Sequence, residues 1–386
     1  MTLDLLWPAL AIGVVSFWLV RRKLPLPVAA FVVSIKFLIP AVYFGWFYNG
    51  TWTFLDDVIY QMQGQVLLQE RYDPFTIFFN PTGVRRLMDL SQGYHILYGW
   101  WNLLAQYLFG PHYYAPIFLN VGLTFVAGRC LFEMAQIAGF SRSYAQGLLV
   151  FFLLYWDVLT WSSLVNVKEV PVMTLIVITL YFFGRFDQKM RWRYMVGAGV
   201  ALFALWWIRF YVAGQLIAAG LLWFALKSFR FNRLRPGPLV LITGLFLIVI
   251  GVVRTQVLAL IGWASQFIVV SSLPYGLVHF WLTPQPWSLS PEYTFLLLPS
   301  MLHWIFLGPA LMGAVLLWRR SSLGRLTLIF LGLVIILYAV SPEAQGPRQR
   351  VEITFVLAWM QFHLLWVLTQ GAVRRRLAQP AASQPI

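Results

Sequence analysis

The run "LPVAAFVVSIKFLIPAVYFGWF", residues 26–47, contains a single charged side chain, Lys36. A helix of this length can cross the hydrocarbon core of a membrane, which takes about 20 apolar residues. Similar runs recur along the chain, in which 60% of the 386 residues are hydrophobic and 11% are charged. Because soluble domains carry about 25% charged residues, the sequence predicts an all-α, polytopic membrane protein built as a helix bundle.

Eleven apolar runs are long enough to be predicted as spans. They form a single transmembrane domain over residues 1–376, followed by a disordered tail at 377–386. Two of the runs are short and flank "WIRFY", so they are read either as two spans or as one broken helix. The predicted spans are 3–20, 26–47, 113–136, 144–161, 169–185, 194–208, 211–227, 238–258, 293–318, 325–341 and 351–371.

Charge is distributed unevenly between the loops. If the N-terminus lies outside, 18 of the 28 Lys and Arg residues fall in inner loops, and most of the 13 Asp and Glu residues lie outside. Cytoplasmic loops are enriched in Lys and Arg. We therefore predict an integral protein of the bacterial inner (plasma) membrane, with its C-terminus in the cytoplasm and its active site on the outer face. The net charge of +15 is assigned to these loops and not to nucleic-acid binding.

Two long segments are predicted to lie on the outer side without spanning the membrane. The first, 48–112, contains "DVIYQMQGQVLLQ" at 57–69, whose Val58, Met62 and Val66 repeat at helical spacing, and an aromatic run at 93–110. Both are predicted to be interfacial helices. The second, 259–292, is rich in Pro and Trp, and its aromatic side chains suit either a sugar ring or the headgroup region of the membrane.

The first outer segment opens with two adjacent acids in "TWTFLDDVIYQMQG", residues 51–64. Asp at the start of a helix is also favoured by capping and by the helix dipole. However, a carboxylate in a partly buried position can act as a general base on a hydroxyl group. Asp56 and Asp57 are therefore the candidate catalytic residues, with Tyr60 beside them as a candidate substrate-binding residue.

Cations near the predicted outer ends of the spans are candidates for binding a phosphate. A solvated Lys–Glu pair, or arginines that reach out to the membrane surface, are the alternatives. A guanidinium suits bidentate contact with phosphate, and the start of a helix also favours anions. The candidate substrate-binding residues in these segments are Lys168, Glu169, Arg209, Arg254, Arg348 and Arg350.

The order of a carboxylate pair ("DDVIY"), interfacial helices and a bundle resembles the GT-C membrane glycosyltransferases. These include the aminoarabinose transferases and the protein O-mannosyltransferases. The segment "SPEAQGPRQRVEITF", 341–355, is similar to the outer Gly/Arg segment of exopolysaccharide-type homologues. The resemblance implies a GT-C fold, with Asp56 as the catalytic base, Asp57 as the second acidic position and Lys168 near the donor phosphate.

The resemblance also implies the reaction. An inverting enzyme would transfer a sugar from a polyprenyl-phosphate-linked donor to a hydroxyl of a glycan, lipid or protein acceptor in cell-envelope synthesis. No cofactor is expected, and no metal, because the His and acidic residues lack metal-ligand spacing. Membrane lipid is the other expected partner, and nucleic acid is not one. The alternatives are a polymerase of lipid-linked sugars, a transporter or flippase for them, and a structural scaffold.

Overall fold

A computed structural model describes residues 3–50, 56–93, 95–230, 244, 262, 268–342 and 345–378. Over these residues the chain is helical and contains no β-strand, which confirms the predicted all-α class. Eight residues of the predicted tail, 379–386, lie outside the described residues, as does most of the predicted span at 238–258.

The described helices are numbered in chain order. They are α1 (Leu3–Val20), α2 (Leu26–Val42), α3 (Asp56–Gln69), α4 (Pro81–Leu90), α5 (Ile96–Phe109), α6 (Ala115–Ile137), α7 (Arg142–Leu153), α8 (Trp156–Leu164), α9 (Glu169–Lys189), α10 (Trp192–Arg230), α11 (Leu273–Leu282), α12 (Leu297–Arg320), α13 (Ser322–Ala339), α14 (Pro347–Arg350) and α15 (Thr354–Ala378). A π-helical turn, Tyr43–Phe47, extends α2. Pro at the first turn of α2, α4 and α6 suits positions whose N–H has no helical partner.

Seven helices in the described part of the chain are long and apolar enough to cross a membrane, against eleven predicted spans. The helix α1 falls slightly short of a full span. The predicted span 144–161 is a pair of helices, α7 and α8, bent by 46°. The predicted pair 194–208 and 211–227 is joined in α10, and 238–258 is not described. The described residues therefore show a membrane-embedded bundle but not the count of eleven.

The helix α10 folds back on itself at Arg209, where the backbone is not helical (φ −157°, ψ 79°). Arg209 pairs with Glu169 at the start of α9, whereas Lys227, further along α10, pairs with Asp187 near the end of α9. The two parts of α10 therefore run along α9 in opposite directions. This arrangement favours two arms over one long straight helix, and it brings Arg209 to the end of the bundle where α9 begins.

One large apolar cluster runs through the bundle, and α6 and α9 lie at its centre. Both helices are apolar around most of their circumference, as expected of helices that other helices surround. Bulky side chains such as Phe125, Leu131 and Phe183 are almost completely buried there. The core fixes the position of α9, whose first residues carry the charged groups described below.

Charged side chains gather at both ends of the bundle. At one end, which we call the Glu133 end, Lys23 and Arg185 contact Glu133 at 2.5 and 2.7 Å, and Lys227 contacts Asp187 at 2.5 Å. At the other end, which we call the Asp56 end, α3 and the start of α5 lie beside the start of α9, where Lys168 contacts Tyr60 and His95, and α4 packs against α5. The predicted helices in the 48–112 segment are confirmed as α3 and α5, whereas α4 was not predicted.

The helices α3 and α5 pack closely because Gly64 lies directly against Asn102. A Cβ atom at Gly64 would approach the carbonyl carbon of Asn102 to 2.9 Å, so only glycine allows this separation. Asn102 and Gln106 on α5 are buried and hydrogen-bonded, Gln106 to the carbonyl of Gln61 at 2.9 Å. This packing sets the position of the first turn of α3, which begins at Asp56.

Candidate functional site

A cavity of about 460 Å³ lies at the Asp56 end, between α3, the start of α5, the start of α9 and the turn in α10. Four of the candidate residues predicted from the sequence line it: Asp56, Tyr60, Lys168 and Arg209. Segments far apart in the chain thus contribute to one site. Its full lining is Asp56, Ile59, Tyr60, Gln63, Leu90, Ser91, Gln92, His95, Lys168, Arg209 and Tyr211.

The two adjacent acids have different surroundings. The Asp56 side chain is 49% exposed at the edge of the cavity, and its Oδ2 accepts a hydrogen bond from Nη1 of Arg348 at 2.7 Å. Asp57 is fully buried: its carboxylate accepts hydrogen bonds from the Tyr113 hydroxyl and, at 2.8 Å, from the N–H of Val58. Successive helical residues point about 100° apart, so only Asp56 faces the cavity.

A network of buried ion pairs adjoins the cavity through Arg209. Oε1 of Glu169 lies 3.0 Å from Nη2 of Arg209 and 2.9 Å from Nε of Arg348. Arg209 also pairs with Glu352, whose Oε2 accepts a hydrogen bond from the Tyr338 hydroxyl at 2.7 Å. Buried charges are tolerated when they are paired and hydrogen-bonded in this way.

One predicted substrate-binding residue, Glu169, belongs to this network and not to the cavity lining. Glu169 was predicted to bind substrate, but its side chain is fully buried and is not part of the cavity lining. Its carboxylate lies between two guanidinium groups, and one of these also holds Asp56. Glu169 therefore positions the cations and, through Arg348, the Asp56 carboxylate.

Lys168 is buried, and its side chain lines the cavity. Its Nζ donates to the Tyr60 hydroxyl oxygen at 2.6 Å and contacts Nε2 of His95 at 2.7 Å. Nδ1 of His95 lies 2.6 Å from the carbonyl oxygen of Ile208. A carbonyl can only accept, so Nδ1 carries the proton and Nε2 accepts from Lys168. These contacts use two of the three N–H groups of the ammonium.

Burial shifts the pKa values of Lys168, His95 and Tyr60. Burial and the nearby charge of Arg209 lower the pKa of Lys168 well below that of an exposed lysine. Burial and the charge of Lys168 lower the pKa of His95 to about 3, so the imidazole is neutral at physiological pH. Burial raises the pKa of Tyr60, which keeps its hydroxyl protonated. Lys168 is thus held where a bound anion would favour its charged form.

One of the predicted cations, Arg350, lies outside this site. Arg350 is buried, with Nη2 3.4 Å from Oδ2 of Asp157 and Nη1 donating to the carbonyl oxygen of Thr283. Arg348 and Arg350 are two residues apart on a helical turn, so they point to different sides. Arg254 lies outside the described residues.

The structure adds residues that were not selected from the sequence. His95 and Tyr211 line the cavity, and Glu352 and Tyr338 complete the ionic network. An acid within apolar sequence, such as Glu352 in "RVEITF", is the type of signal that marks a functional position in a membrane protein. His95 carries no such signal, because its partner Lys168 is 73 residues away in the chain.

Within the described ranges, no group of three or more His, Cys, Asp or Glu side chains is arranged to hold a metal ion. A comparison of this chain with protein-family models, with curated proteins and with solved structures finds no match. The function is therefore inferred from the geometry of the cavity.

Proposed function

We propose that this protein is a membrane glycosyltransferase of the GT-C type, which transfers a sugar from a polyprenyl-phosphate-linked donor to an acceptor hydroxyl. The observation that carries the proposal is the lining of one cavity by a half-exposed carboxylate, Asp56, and a buried cation, Lys168. A reaction that expels a phosphate and deprotonates a hydroxyl needs both groups at one site.

The side of the cavity that carries Lys168 suits the donor phosphate. Lys168 has an N–H group beyond those that contact Tyr60 and His95, and the Tyr60 hydroxyl has a proton that it does not give to Lys168. Both can donate to a phosphate oxygen. Arg209 and Arg348 are held by carboxylates that offset their charge, so the direct contacts with phosphate are assigned to Lys168 and Tyr60. Cations placed in this way stabilise the phosphate as the bond to the sugar breaks.

Asp56 would act on the acceptor. As the acceptor oxygen forms its bond to the anomeric carbon, the bond from that carbon to the phosphate oxygen breaks, and polyprenyl phosphate leaves. The hydroxyl proton passes to the Asp56 carboxylate. Attack from the side opposite the phosphate inverts the sugar centre. Arg348 holds Asp56 at the edge of the cavity, where an acceptor has access.

The charges at the two ends support an orientation for this reaction. Lys and Arg side chains are numerous at the Glu133 end, as in cytoplasmic loops. We place that end in the cytoplasm and the cavity on the outer face of a bacterial plasma membrane. A lipid-linked sugar would reach the cavity from the bilayer, and the acceptor is a glycan, lipid or protein of the cell envelope.

The experiment is a donor panel. The full-length protein in lipid nanodiscs is incubated with polyprenyl-phosphate sugars and mixed acceptors, and released polyprenyl phosphate is measured. We expect release by the wild type, a loss of at least about 100-fold in Asp56→Asn, and no loss in the control Asp89→Asn, which removes an exposed carboxylate from α4. Equal release by wild type and Asp56→Asn would rule out this role for Asp56.

One observation favours a second candidate, a transporter or flippase for lipid-linked sugars. Lys36, within the span 26–47, is fully buried and donates to Oγ of Ser162 at 2.9 Å. Charges at such depth often belong to a substrate or ion pathway. A transporter predicts movement of a labelled lipid-linked sugar across proteoliposomes without release of polyprenyl phosphate, and dependence of that movement on Lys36.

A further inference from the structure

A second pocket, of about 610 Å³, lies at the Glu133 end between the last turns of α12 and residues 363–370 of α15. The two helices touch where Gly313 lies against the backbone of Met360, and the pocket lies beyond this contact. It combines basic, aromatic and apolar side chains, which are Phe140, Leu316, Arg319, Arg320, His363, Trp366, Val367 and Gln370. The proposed transferase site does not use any of them.

The two arginines give the pocket an unbalanced positive charge. No carboxylate among the described residues forms an ion pair with Arg319 or Arg320, and both side chains are exposed. The acids at this end, Glu133 and Asp187, are already paired with Lys23, Arg185 and Lys227. An anion in the pocket would therefore meet no competing carboxylate from the neighbouring helices.

The aromatic wall is held rigidly by buried contacts. His363 is buried, and its Nδ1 lies 3.1 Å from the hydroxyl of Tyr144. The rings of Phe140 and His363 meet edge to face at 5.3 Å, as do those of Tyr144 and Trp366 at 5.4 Å. Trp and His at the end of a membrane bundle are suited to the polar headgroup region.

An exposed apolar surface continues from the pocket along α12. Met312 lies one turn from Leu316, and Val315 lies one turn from Arg319, on the same face of the helix. These two side chains are 61% and 53% exposed. A molecule whose anionic group binds the arginines can therefore lay a hydrocarbon chain along this surface.

We propose that this pocket binds an anionic phospholipid, with the headgroup phosphate between Arg319 and Arg320 and an acyl chain along Met312 and Val315. The charge selects a phosphate, and the adjoining apolar surface selects a lipid over a free anion. The inference does not depend on the transferase proposal, because the two sites lie at opposite ends of the bundle.

The test is titration of the full-length protein with phosphatidylglycerol or phosphatidylcholine of identical chains, followed by native mass spectrometry. Phosphatidylglycerol should bind more tightly. The double change Arg319→Gln/Arg320→Gln should weaken that binding by roughly 10- to 30-fold. The control Arg191→Gln/Arg193→Gln removes the same charge from exposed positions at the same end and should change it by less than about twofold.

Two further experiments test whether the lipid binds in this pocket. Leu316→Trp fills the pocket without changing its charge and should also weaken binding of phosphatidylglycerol. Glycerol 3-phosphate, which has the phosphate but no acyl chain, should compete poorly. Three outcomes would overturn the proposal. They are equal weakening of phosphatidylglycerol binding by the two double changes, unchanged binding in Leu316→Trp, and competition by glycerol 3-phosphate as strong as that of the lipid.

Discussion

Asp56 and Asp57 are joined in sequence but contribute to different properties of the protein. Asp57 accepts from the N–H of Val58 in the first turn of α3 and from the buried Tyr113 hydroxyl, whereas Asp56 faces the cavity. Asp57→Ala should lower the free energy of unfolding by about 2–4 kcal/mol, because an N–H of the first helical turn and a buried hydroxyl both lose their acceptor.

The matched change is Asp56→Ala, which removes a half-exposed ion pair and should cost about 1 kcal/mol or less. Both variants are compared by unfolding in detergent micelles, with far-UV circular dichroism to follow helix content. A larger loss of stability in Asp56→Ala than in Asp57→Ala would contradict the assignment of the structural role to Asp57.

Lys168 should make the binding of an anionic donor depend on pH. Its pKa is lowered in the free protein, and a phosphate beside it would raise the pKa again. Binding at a pH between those two values must therefore take up a proton, and affinity should fall as the pH rises. His95 and Tyr60 keep one protonation state over this range, since burial shifts the pKa of each away from it.

Calorimetry in buffers of different ionisation enthalpy measures this proton uptake across a range from about pH 6 to about pH 10. The variant Lys168→Met should bind the donor more weakly and show no uptake from this position. If the wild type binds with the same affinity throughout, or if Lys168→Met keeps the pH dependence, Lys168 is not the responsible group.

The sequence alone selected the acidic and basic residues Asp56, Lys168 and Arg209 of the cavity lining, because charged side chains are rare in apolar sequence and therefore stand out. It did not show their partners. Arg348 lies 292 residues from Asp56 in the chain, and nothing local indicates that they meet. For the same reason, the sequence did not separate Arg348, which reaches Asp56, from Arg350, which reaches Asp157.

At the scale of elements, the contact between α3 and α5 determines where Asp56 and Tyr60 lie. Gly64→Ala would place a Cβ 2.9 Å from the backbone of Asn102, which forces the helices apart. We expect a loss of about 1–3 kcal/mol in unfolding free energy, together with weaker donor binding, because α3 carries four residues of the cavity lining.

Gly99→Ala is the matched control in the same pair of helices. Its Cβ would lie 3.5 Å from Oε1 of Gln63, an ordinary contact, and the change removes a flexible glycine from α5. Stability and donor binding should therefore change little. Thermal unfolding and a donor-binding titration measure both variants, and equal effects of the two changes would show that the close contact at Gly64 is not decisive.

Helices with strong local signals were predictable and the others were not. The periodic run at 57–69 and the aromatic run at 93–110 became α3 and α5. The helix α4 was missed because "PTGVRRLMDL" is short and polar, although Asn80 and Pro81 form a good start: Oδ1 of Asn80 accepts from the N–H of Thr82 at 3.0 Å. The sequence did not decide whether residues 194–227 form two spans or one helix broken near Arg209, because both fit the apolar pattern.

At the scale of the whole molecule, the proposed orientation places α4 outside the cell and the turn between α9 and α10 in the cytoplasm. In a Cys130→Ala background, which has no other cysteine, Asp89→Cys should react with a membrane-impermeant maleimide in intact cells. Arg191→Cys should react only after permeabilisation. Both side chains are exposed in the structure, so access depends on the side of the membrane.

The reverse labelling pattern would place the cavity in the cytoplasm and would remove outer-face transfer from the proposal. The uneven distribution of Lys and Arg is a property of the whole chain, which is why the sequence could predict the orientation. The grouping of Lys23, Arg185 and Lys227 at one end agrees with the predicted common side. A helix bundle has the same fold in either orientation, so the labelling experiment decides which end lies in the cytoplasm.

The decisive experiment on the proposed reaction separates donor binding from sugar transfer. Donor binding and single-turnover transfer are measured for wild type, Asp56→Asn and Lys168→Met, with the donor that the panel identifies. We predict that Asp56→Asn binds the donor nearly as well as wild type but transfers the sugar at least about 100-fold more slowly, and that Lys168→Met loses donor binding. Normal transfer by Asp56→Asn, or normal binding by Lys168→Met, would contradict this prediction.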